Sequence, residues 1–262
     1  MVDLHCHILP GVDDGAKSIK ESLNMLRKLA AAGVESVVAT PHLLRGSYDT
    51  TSSERQEMVD NLQKAADEND IKVQIKPGVE YYLAPQILED IDRLEEFTIN
   101  NGGKYILVEL PMRIVPPSIE DVFFSLKVKG ITPILAHPER NAKICQDPNI
   151  LFNLVLKGCI TQINVASILG HFGGESKKVA RELLTHRLGH VVASDMHSAD
   201  SPTMDQAVPV VEKLLGKEQA ARMFVDIPRQ ILAGEAIHQE ELPQQLGIRR
   251  RGLRRLFSRS GV

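Results

Sequence analysis

Short apolar runs alternate with longer segments of helical period along most of the chain. The runs are rich in Val and Ile and predict seven β-strands: Val2–His5, Ser36–Thr40, Lys72–Ile75, Tyr105–Glu109, Thr132–His137, Ile160–Asn164 and His190–Ser194. Apolar positions that recur every three or four residues predict helices at Ile19–Ala32, Ser53–Asn69, Pro85–Leu94, Ile119–Val128, Pro148–Lys157, Ser176–His186 and Met204–Leu215. This alternation is typical of parallel strands joined by crossover helices.

The number of strand–helix units fits either a barrel or an open doubly wound sheet. The chain has 262 residues, and an α/β barrel commonly needs about 250. We find no internal repeat and no linker before about Gln230.

Composition and charge exclude several classes of protein. Hydrophobic residues make up 43% and charged residues 25%, as in ordinary globular proteins. Lys and Arg number 31 against 34 Asp and Glu, so the net charge of −3 gives no reason to expect nucleic-acid binding. Three cysteines and no Trp exclude a disulfide-stapled secreted scaffold. No apolar run of signal-peptide or membrane-spanning length is present, so we expect a cytoplasmic protein.

Polar side chains follow nearly all of the predicted strands, at the point where each strand ends. They are His5, His7, Asp13, Asp14, His42, Glu80, Glu109, His137, Asp195 and His197. Because the carboxyl ends of parallel strands open onto one face, residues scattered along the chain are expected to meet there. The His5-Cys6-His7 spacing directs both imidazoles to one side and Cys6 to the other.

Imidazole and carboxylate ligands together suit Zn, Mn or Fe. Five histidines and at least four carboxylates exceed the ligands of one ion, so two or three ions are predicted if all of them participate. The other histidines (His171, His186, His190 and His238) do not follow strand ends and are expected to be surface or packing residues.

The usual nucleophile motifs are missing from the sequence. A cysteine phosphatase needs an Arg six residues after its Cys, but Cys6, Cys145 and Cys159 are followed there by Val12, Leu151 and Val165. There is no Gly-x-Ser-x-Gly elbow and no P-loop Lys-Ser/Thr, so the stretch from Gly170 to Gly174 is expected to be a flexible loop. The predicted chemistry is hydrolysis by metal-activated water.

Five segments together resemble the polymerase-and-histidinol-phosphatase (PHP) superfamily. They are His5–His7 with Pro10–Gly15, Ala39–His42, Gly78–Glu80, Ala136–Arg140 and Ala193–His197. Within that superfamily, Asp13–Gly15, His137–Arg140 and Gln162–Asn164 resemble segments of the manganese-dependent bacterial tyrosine phosphatases. The resemblance covers residues 1 to about 235, which we treat as the phosphatase domain, with 236–262 as an extension.

The resemblance implies a distorted (β/α)7 barrel with two to three divalent ions at the carboxyl ends of the strands. Manganese is the expected ion, with Fe, Zn, Co and Mg as alternatives. By motif position, the ligands would be His5, His7, Glu80 and Asp195 for one ion, Glu80, Glu109 and His137 for a second, and Asp14, His42 and His197 for a third.

The resemblance also implies which residues carry catalysis. Arg140 would bind the substrate phosphate as a charge-assisted partner, with His42 and Asp195 beside it. Members of the family often carry an Arg or Asn soon after the final Asp-x-His, but Ser198–Pro202 contains no Arg. Arg45 is therefore a candidate for a second phosphate contact, the alternative being a solvated loop residue.

Three functions remain open at this point. The first is a metal-dependent protein tyrosine phosphatase whose implied substrate is an autophosphorylated tyrosine kinase of capsule or exopolysaccharide export. The second is a small-molecule phosphomonoesterase of the histidinol-phosphate phosphatase type. The third is a metal-binding regulatory domain without turnover, which the complete ligand set disfavours. Self-association is a further implication of the resemblance.

The last residues, Arg249 to Val262, contain six arginines and no acid. A disordered, solubilising end is one interpretation. The alternative is weak attachment to an anionic membrane surface or an acidic partner, helped by Leu253, Leu256 and Phe257. Without this tail, 25 basic residues face 34 acidic ones, so an acidic body carries a basic end.

Overall fold

The computed structural model describes residues 1–83, 93–237 and 242–246. Its strands are β1 (Val2–Cys6), β2 (Ser36–Ala39), β3 (His42–Leu43), β4 (Gln74–Pro77), β5 (Glu80–Tyr82), β6 (Tyr105–Glu109), β7 (Thr132–Ala136), β8 (Ile160–Asn164) and β9 (Val191–Ala193). Every pairing between these strands is parallel. The parallel α/β class predicted from the alternation is confirmed.

The strands form two sheets that continue each other, in the orders β1-β2-β4 and β3-β5-β6-β7-β8-β9. Only Thr40 and Pro41 separate β2 from β3, and only Gly78 and Val79 separate β4 from β5. Each pair is thus one strand path with a short break. The chain just after β9 lies beside the end of β1, because the His7 amide donates a hydrogen bond to Met196 O at 2.9 Å.

Helices surround the strands. They are α1 (Ile19–Ala31), α2 (Ser52–Glu68), α3 (Ile119–Val128), α4 (Ala142–Gln146), α5 (Asn149–Leu156), α6 (Val165–Leu169), α7 (Gly173–Thr185), α8 (Met204–Leu215), α9 (Lys217–Ala221) and α10 (Ile227–Ala233). A π-helical turn, Arg222–Asp226, joins the last two. The N-cap hydroxyl of Ser18 accepts from the Glu21 amide at the start of α1, and Thr51 with Glu54 forms a capping box before α2.

Several elements depart from the sequence prediction. The strands β3 and β5 and the helices α4, α6, α9 and α10 were not predicted. The expected flexible loop at Gly170–Gly174 is partly wrong, because Gly173 and Gly174 already form the first turn of α7. The helix predicted at Pro85–Leu94 lies largely outside the described residues, and Leu94 itself begins a 3-10 turn that ends at Phe97.

Alternate residues of the strands contribute to two apolar clusters. Leu107, Ile134 and Val191 belong to a smaller cluster that α10 joins through Ile227 and Ile231. Their sequence neighbours face the larger cluster, which includes most of the helices. The apolar layers hold the strands rigidly, so the carboxyl ends of those strands present fixed positions for functional side chains. Among the described residues, no helix is both long enough and apolar enough to cross a bilayer.

Candidate metal centre

His5 and His7 lie side by side at the end of β1 and are fully buried. The register of β1 against β2 shifts between Asp3 and Cys6. Beyond this shift the two imidazoles face the same centre, with their Nε2 atoms 3.1 Å apart, while Cys6 packs in the larger apolar cluster. The predicted orientation of the His-x-His segment is confirmed.

Glu80, the first residue of β5, is the carboxylate at the middle of the cluster. Its Oε2 lies 2.8 Å from His42 Nδ1 and 3.3 Å from His5 Nε2, and its Oε1 lies 2.9 Å from His137 Nε2. Glu80 has no exposed surface, although it carries a charge. A buried carboxylate is stable only where positive charge or hydrogen-bond donors face it, and here imidazoles approach it from three strand ends.

Two further carboxylates extend the cluster toward solvent. Glu109 Oε2 lies 3.6 Å from His42 Nδ1, and Glu109 Oε1 lies 3.8 Å from His137 Nε2. Asp14 Oδ1 lies 3.5 Å from His42 Nε2 and 3.4 Å from His197 Nε2. Asp14 is the most exposed of these groups, so this end of the cluster opens to solvent.

Asp195 uses its two carboxylate oxygens differently. Its Oδ1 lies 3.3 Å from the Nε2 atoms of both His5 and His7, whereas Oδ2 accepts hydrogen bonds from Arg140 and Asn164. Its backbone adopts a φ of +51°, and that of His137 a φ of +32°. These left-handed conformations are tolerated by Asp and His and turn both side chains inward at the ends of their strands.

The donor set fits divalent metal ions. Ligand atoms about 2.1 Å from a shared ion lie roughly 3.0–3.4 Å from one another, and the distances among His5, His7, Glu80 and Asp195 fall between 3.1 and 3.5 Å. Glu80 Oε2 is buried and accepts no well-directed hydrogen bond, although His42 Nδ1 lies 2.8 Å away. Within the described part of the chain, four groups of residues have ligand atoms close enough to share an ion: His7-Asp14-His42-His197, His5-His7-Glu80, His5-His137-Asp195 and His42-Glu80-Glu109.

All nine predicted metal ligands therefore meet in one place. The four groups share members. His7 belongs to two of them, and His42 belongs both to the group with Glu80 and Glu109 and to the group with Asp14. The division of ligands among individual ions remains a prediction. His190, by contrast, is buried away from the cluster and hydrogen bonds Thr161, in agreement with a packing role.

The charges of the cluster change how its histidines titrate. Burial by itself lowers the pKa of His5, but the charges of Glu80 and Asp195 outweigh it and raise that pKa to about 9. The same opposition raises the pKa of His42, because the adjacent carboxylate of Glu80 outweighs the effect of burial. Burial opposes ionisation of Glu80, yet the positive imidazoles hold the pKa of this carboxyl well below its usual value.

These shifts predict that metal uptake releases protons. In the metal-free protein His5 has a pKa of about 9 and is protonated at pH 7, whereas a ligating imidazole must be neutral. The apparent affinity for Mn²⁺ is therefore expected to increase from pH 6 to pH 9. Calorimetric titration in buffers of different ionisation enthalpy measures the protons released, and an affinity independent of pH would contradict the prediction.

Outer residues hold the ligands in place, and the sequence did not predict this layer. Asp13 Oδ2 accepts from His7 Nδ1 at 2.8 Å, and Gln162 Oε1 lies 3.0 Å from His5 Nδ1. Gln162 donates to Asn164 Oδ1, and Asn164 in turn donates to Asp195 Oδ2 at 2.5 Å. Such contacts fix the tautomer and direction of each ligand. The sequence singled out Asp13 at a strand end and Gln162–Asn164 as a motif segment, but neither signal indicated this supporting role.

Replacing Asn164 by Ala is expected to weaken metal affinity or activity about 10- to 100-fold, because Asp195 loses a buried donor. Asn153→Ala on the exposed side of α5 is the matched control and should leave both unchanged. Metal titration of the stripped protein measures the affinity. Wild-type affinity in the Asn164 variant would show that Asp195 needs no such support.

Arg140 lies at the rim of the cluster. Its Nη1 donates to Asp195 Oδ2 at 2.9 Å, its side chain is one quarter exposed, and Phe172 covers its face with 4.3 Å between Cζ and the ring centroid. Arg45 is exposed and lines a cavity of about 190 Å³ with Asp49, Arg93 and Phe97. None of the nine ligands lines that cavity, and a phosphate contact by Arg45 stays a prediction.

A family model for capsular polysaccharide synthesis, CpsB/CapC, matches residues 1–233. This chain belongs to the CpsB/CapC family. Its relatives in the family include the tyrosine-protein phosphatase YwqE of Bacillus subtilis, 37% identical over 220 residues, which are 83% of this chain and 86% of YwqE. The tyrosine-protein phosphatase CpsB of Streptococcus pneumoniae is 35% identical over 244 residues, 90% of this chain and all of CpsB.

A solved structure of the CpsB/CapC family superimposes closely on this fold. It is one of the crystal structures of YwqE from Bacillus subtilis and CpsB from Streptococcus pneumoniae. Those two proteins are described as unique metal-dependent tyrosine phosphatases. The TM-score is 0.89 at 34% identity, over 94% of this chain and the whole of that chain. The resemblance stated from the sequence motifs is thereby confirmed.

Proposed function

We propose that this chain is a metal-dependent protein tyrosine phosphatase of capsular polysaccharide synthesis. The observation that carries the proposal is the buried cluster of nine metal ligands with the arginine Arg140 at its open rim. Membership of the CpsB/CapC family, whose relatives YwqE and CpsB are tyrosine-protein phosphatases, supports this activity. The complete ligand set disfavours a binding domain without turnover.

The cluster is proposed to hold two to three divalent ions, with manganese expected. Bound ions of this kind activate water at neutral pH and neutralise charge on a phosphoryl group. One ion would be held by His5, His7, Glu80 and Asp195, with Glu80 shared by a second ion that Glu109 and His137 also hold. Asp14, His42 and His197 would hold a third. The distances within each set support the assignment, and His42, 2.8 Å from Glu80, lies between the second and third sets.

Arg140 is proposed to bind the phosphoryl oxygens. Its guanidinium lies next to the ligands, is partly exposed, and is oriented by Asp195. A guanidinium in this position stabilises the charge that develops on the equatorial oxygens during in-line displacement. A tyrosyl leaving group has an ordinary pKa of about 10, so it needs less protonation than the alkoxide of phosphoserine.

A direct assay tests the activity. The purified protein is stripped of metal, reconstituted separately with Mn, Co, Zn or Mg, and assayed on a phosphotyrosine peptide and on histidinol phosphate. We expect metal-dependent release of phosphate from the peptide. Turnover of histidinol phosphate alone would instead identify a small-molecule phosphomonoesterase, and no turnover with any ion would indicate a binding domain.

The identity of the substrate protein is a finer proposal. We propose an autophosphorylated bacterial tyrosine kinase, because a phosphatase of capsule synthesis requires a phosphotyrosine protein in the same process. A cytoplasmic location is part of the same proposal. Self-association of this chain is also proposed, and sedimentation of the metal-loaded protein would reveal it.

The arginine-rich tail is proposed to add weak contact with an anionic membrane surface. Its residues, 249–262, lie outside the described part of the chain. Each basic residue near such a surface contributes about 1 kcal/mol. Full-length protein is therefore expected to co-sediment with phosphatidylserine-containing vesicles more strongly than protein ending at residue 248. Equal partitioning of the two proteins would rule out this role for the tail.

A further inference from the structure

Phe172 is an exposed aromatic residue beside the proposed phosphate site. The residue is 44% exposed, and its ring covers the guanidinium of Arg140. The residue lies in the short connection between α6 and α7, flanked by Gly170 at φ +96° and Gly173 at φ +90°. These glycines permit a tight turn that presents the ring at the open face of the strands.

Two contacts define the orientation of Arg140. Its Nη1 is bound to Asp195, and the face of its guanidinium lies against Phe172. Within the described part of the chain, this side chain donates a hydrogen bond through Nη1 only. Its Nη2 and Nε atoms are therefore available to a phosphate. A planar guanidinium bound at Nη1 and covered on one face still offers the edge formed by Nη2 and Nε to a ligand.

The position of that edge determines where the rest of the substrate lies. In phosphotyrosine a single bridging oxygen joins the phosphoryl group to the aromatic ring, so the ring stays close to whatever binds the phosphate. Phe172 is the aromatic surface next to Arg140, and nearly half of it faces solvent. Pairs of aromatic rings attract each other at centroid distances of about 4.5–7 Å.

We propose that Phe172 is a specificity-determining residue that contacts the aryl ring of the substrate and favours aryl over alkyl phosphates. The inference rests on the proposed role of Arg140 in binding phosphate. Loss of an aromatic contact of this kind corresponds to about a two- to tenfold loss of affinity. The effect is confined to ligands that carry a ring.

Competitive inhibition of the metal-loaded enzyme tests the proposal. The probes are phenylphosphonate, which carries a ring, and methylphosphonate, which does not. Phe172→Ala and Phe172→Leu are expected to raise the inhibition constant of phenylphosphonate about three- to tenfold and that of methylphosphonate less than about twofold. Phe172→Tyr keeps the ring and should behave as wild type. Phe124→Ala, an equally apolar exposed site on α3, is the matched control.

Two outcomes would overturn the proposal. If both inhibition constants rise by the same factor in Phe172→Ala, the residue acts only by orienting Arg140. If neither constant changes, Phe172 touches no part of the ligand. Arg140→Lys tests separately the assumption that Arg140 binds the phosphate. Unchanged inhibition constants for both phosphonates in that variant would refute this phosphate site. Thermal unfolding of each variant verifies that the fold is retained.

Discussion

Replacing Glu80 by Gln is expected to abolish metal-dependent turnover, with kcat/KM lower by more than about 100-fold. Gln has nearly the same shape as Glu but no charge, so packing is preserved while the central carboxylate is lost. Changes in residues that merely support a ligand already cost about 10- to 100-fold, and Glu80 itself faces His5, His42 and His137. The loss of this central carboxylate should therefore exceed that range.

Metal content distinguishes this explanation from a general defect. Elemental analysis of the Glu80→Gln protein after dialysis against Mn²⁺ should show fewer bound ions than wild type. Glu120→Gln, an exposed acid that pairs with Lys157 on the outer helices, is the control and should retain full metal content and activity. Wild-type metal content with wild-type kcat in the Glu80 variant would exclude this residue from the metal centre.

Replacing Arg140 by Ala is expected to reduce kcat about 10²- to 10³-fold, which is the usual effect of removing one donor to a charged transition state. Arg140→Lys keeps the charge but not the planar fork, so its activity should recover only in part. Both variants should retain the ions, because Arg140 is one quarter exposed, so water can replace its donor to Asp195 Oδ2, and the buried Asn164 still donates to that oxygen.

Steady-state kinetics on a phosphotyrosine peptide and metal analysis of the same preparations measure both effects. Arg113→Ala removes an exposed arginine of the connection between β6 and α3 and is the matched control. An Arg140→Ala enzyme with wild-type kcat and KM would show that another group binds the phosphate. Arg45 would then be the first residue to test.

The sequence predicted most of what positions the metal centre. Strand ends in a parallel fold share one face, so His5, Glu109 and His137 were expected to meet even though they are far apart in the chain. The sequence also predicted the chemistry of the ligands, because imidazole and carboxylate together form a donor set for divalent ions. The geometry adds that Glu80 stands at the middle of the cluster.

The remaining features depend on contacts that a linear pattern does not contain. The short strands β3 and β5 are formed by two or three residues after a break, too few for a periodicity to appear. The direction of the Asp13 side chain toward His7 is set by a turn, and the bond from Asn164 to Asp195 joins residues 31 positions apart. Phe172 covers Arg140 only because the connection from α6 to α7 folds back.

The wide spread of the ligands along the chain links metal binding to the folding of the whole protein. His5 lies in the first strand and His197 follows the last, so a complete set of ligands exists only after nearly every strand has taken its place. An ion that binds only the native state lowers the free energy of that state by RT ln(1 + [M]/Kd). This amounts to about 2.7 kcal/mol when the free metal concentration is 100 times Kd. Assembly of the parallel strands must come first and relies on contacts between distant residues, which form slowly. Bound metal ions would therefore stabilise the folded state but would not direct the order in which the strands assemble.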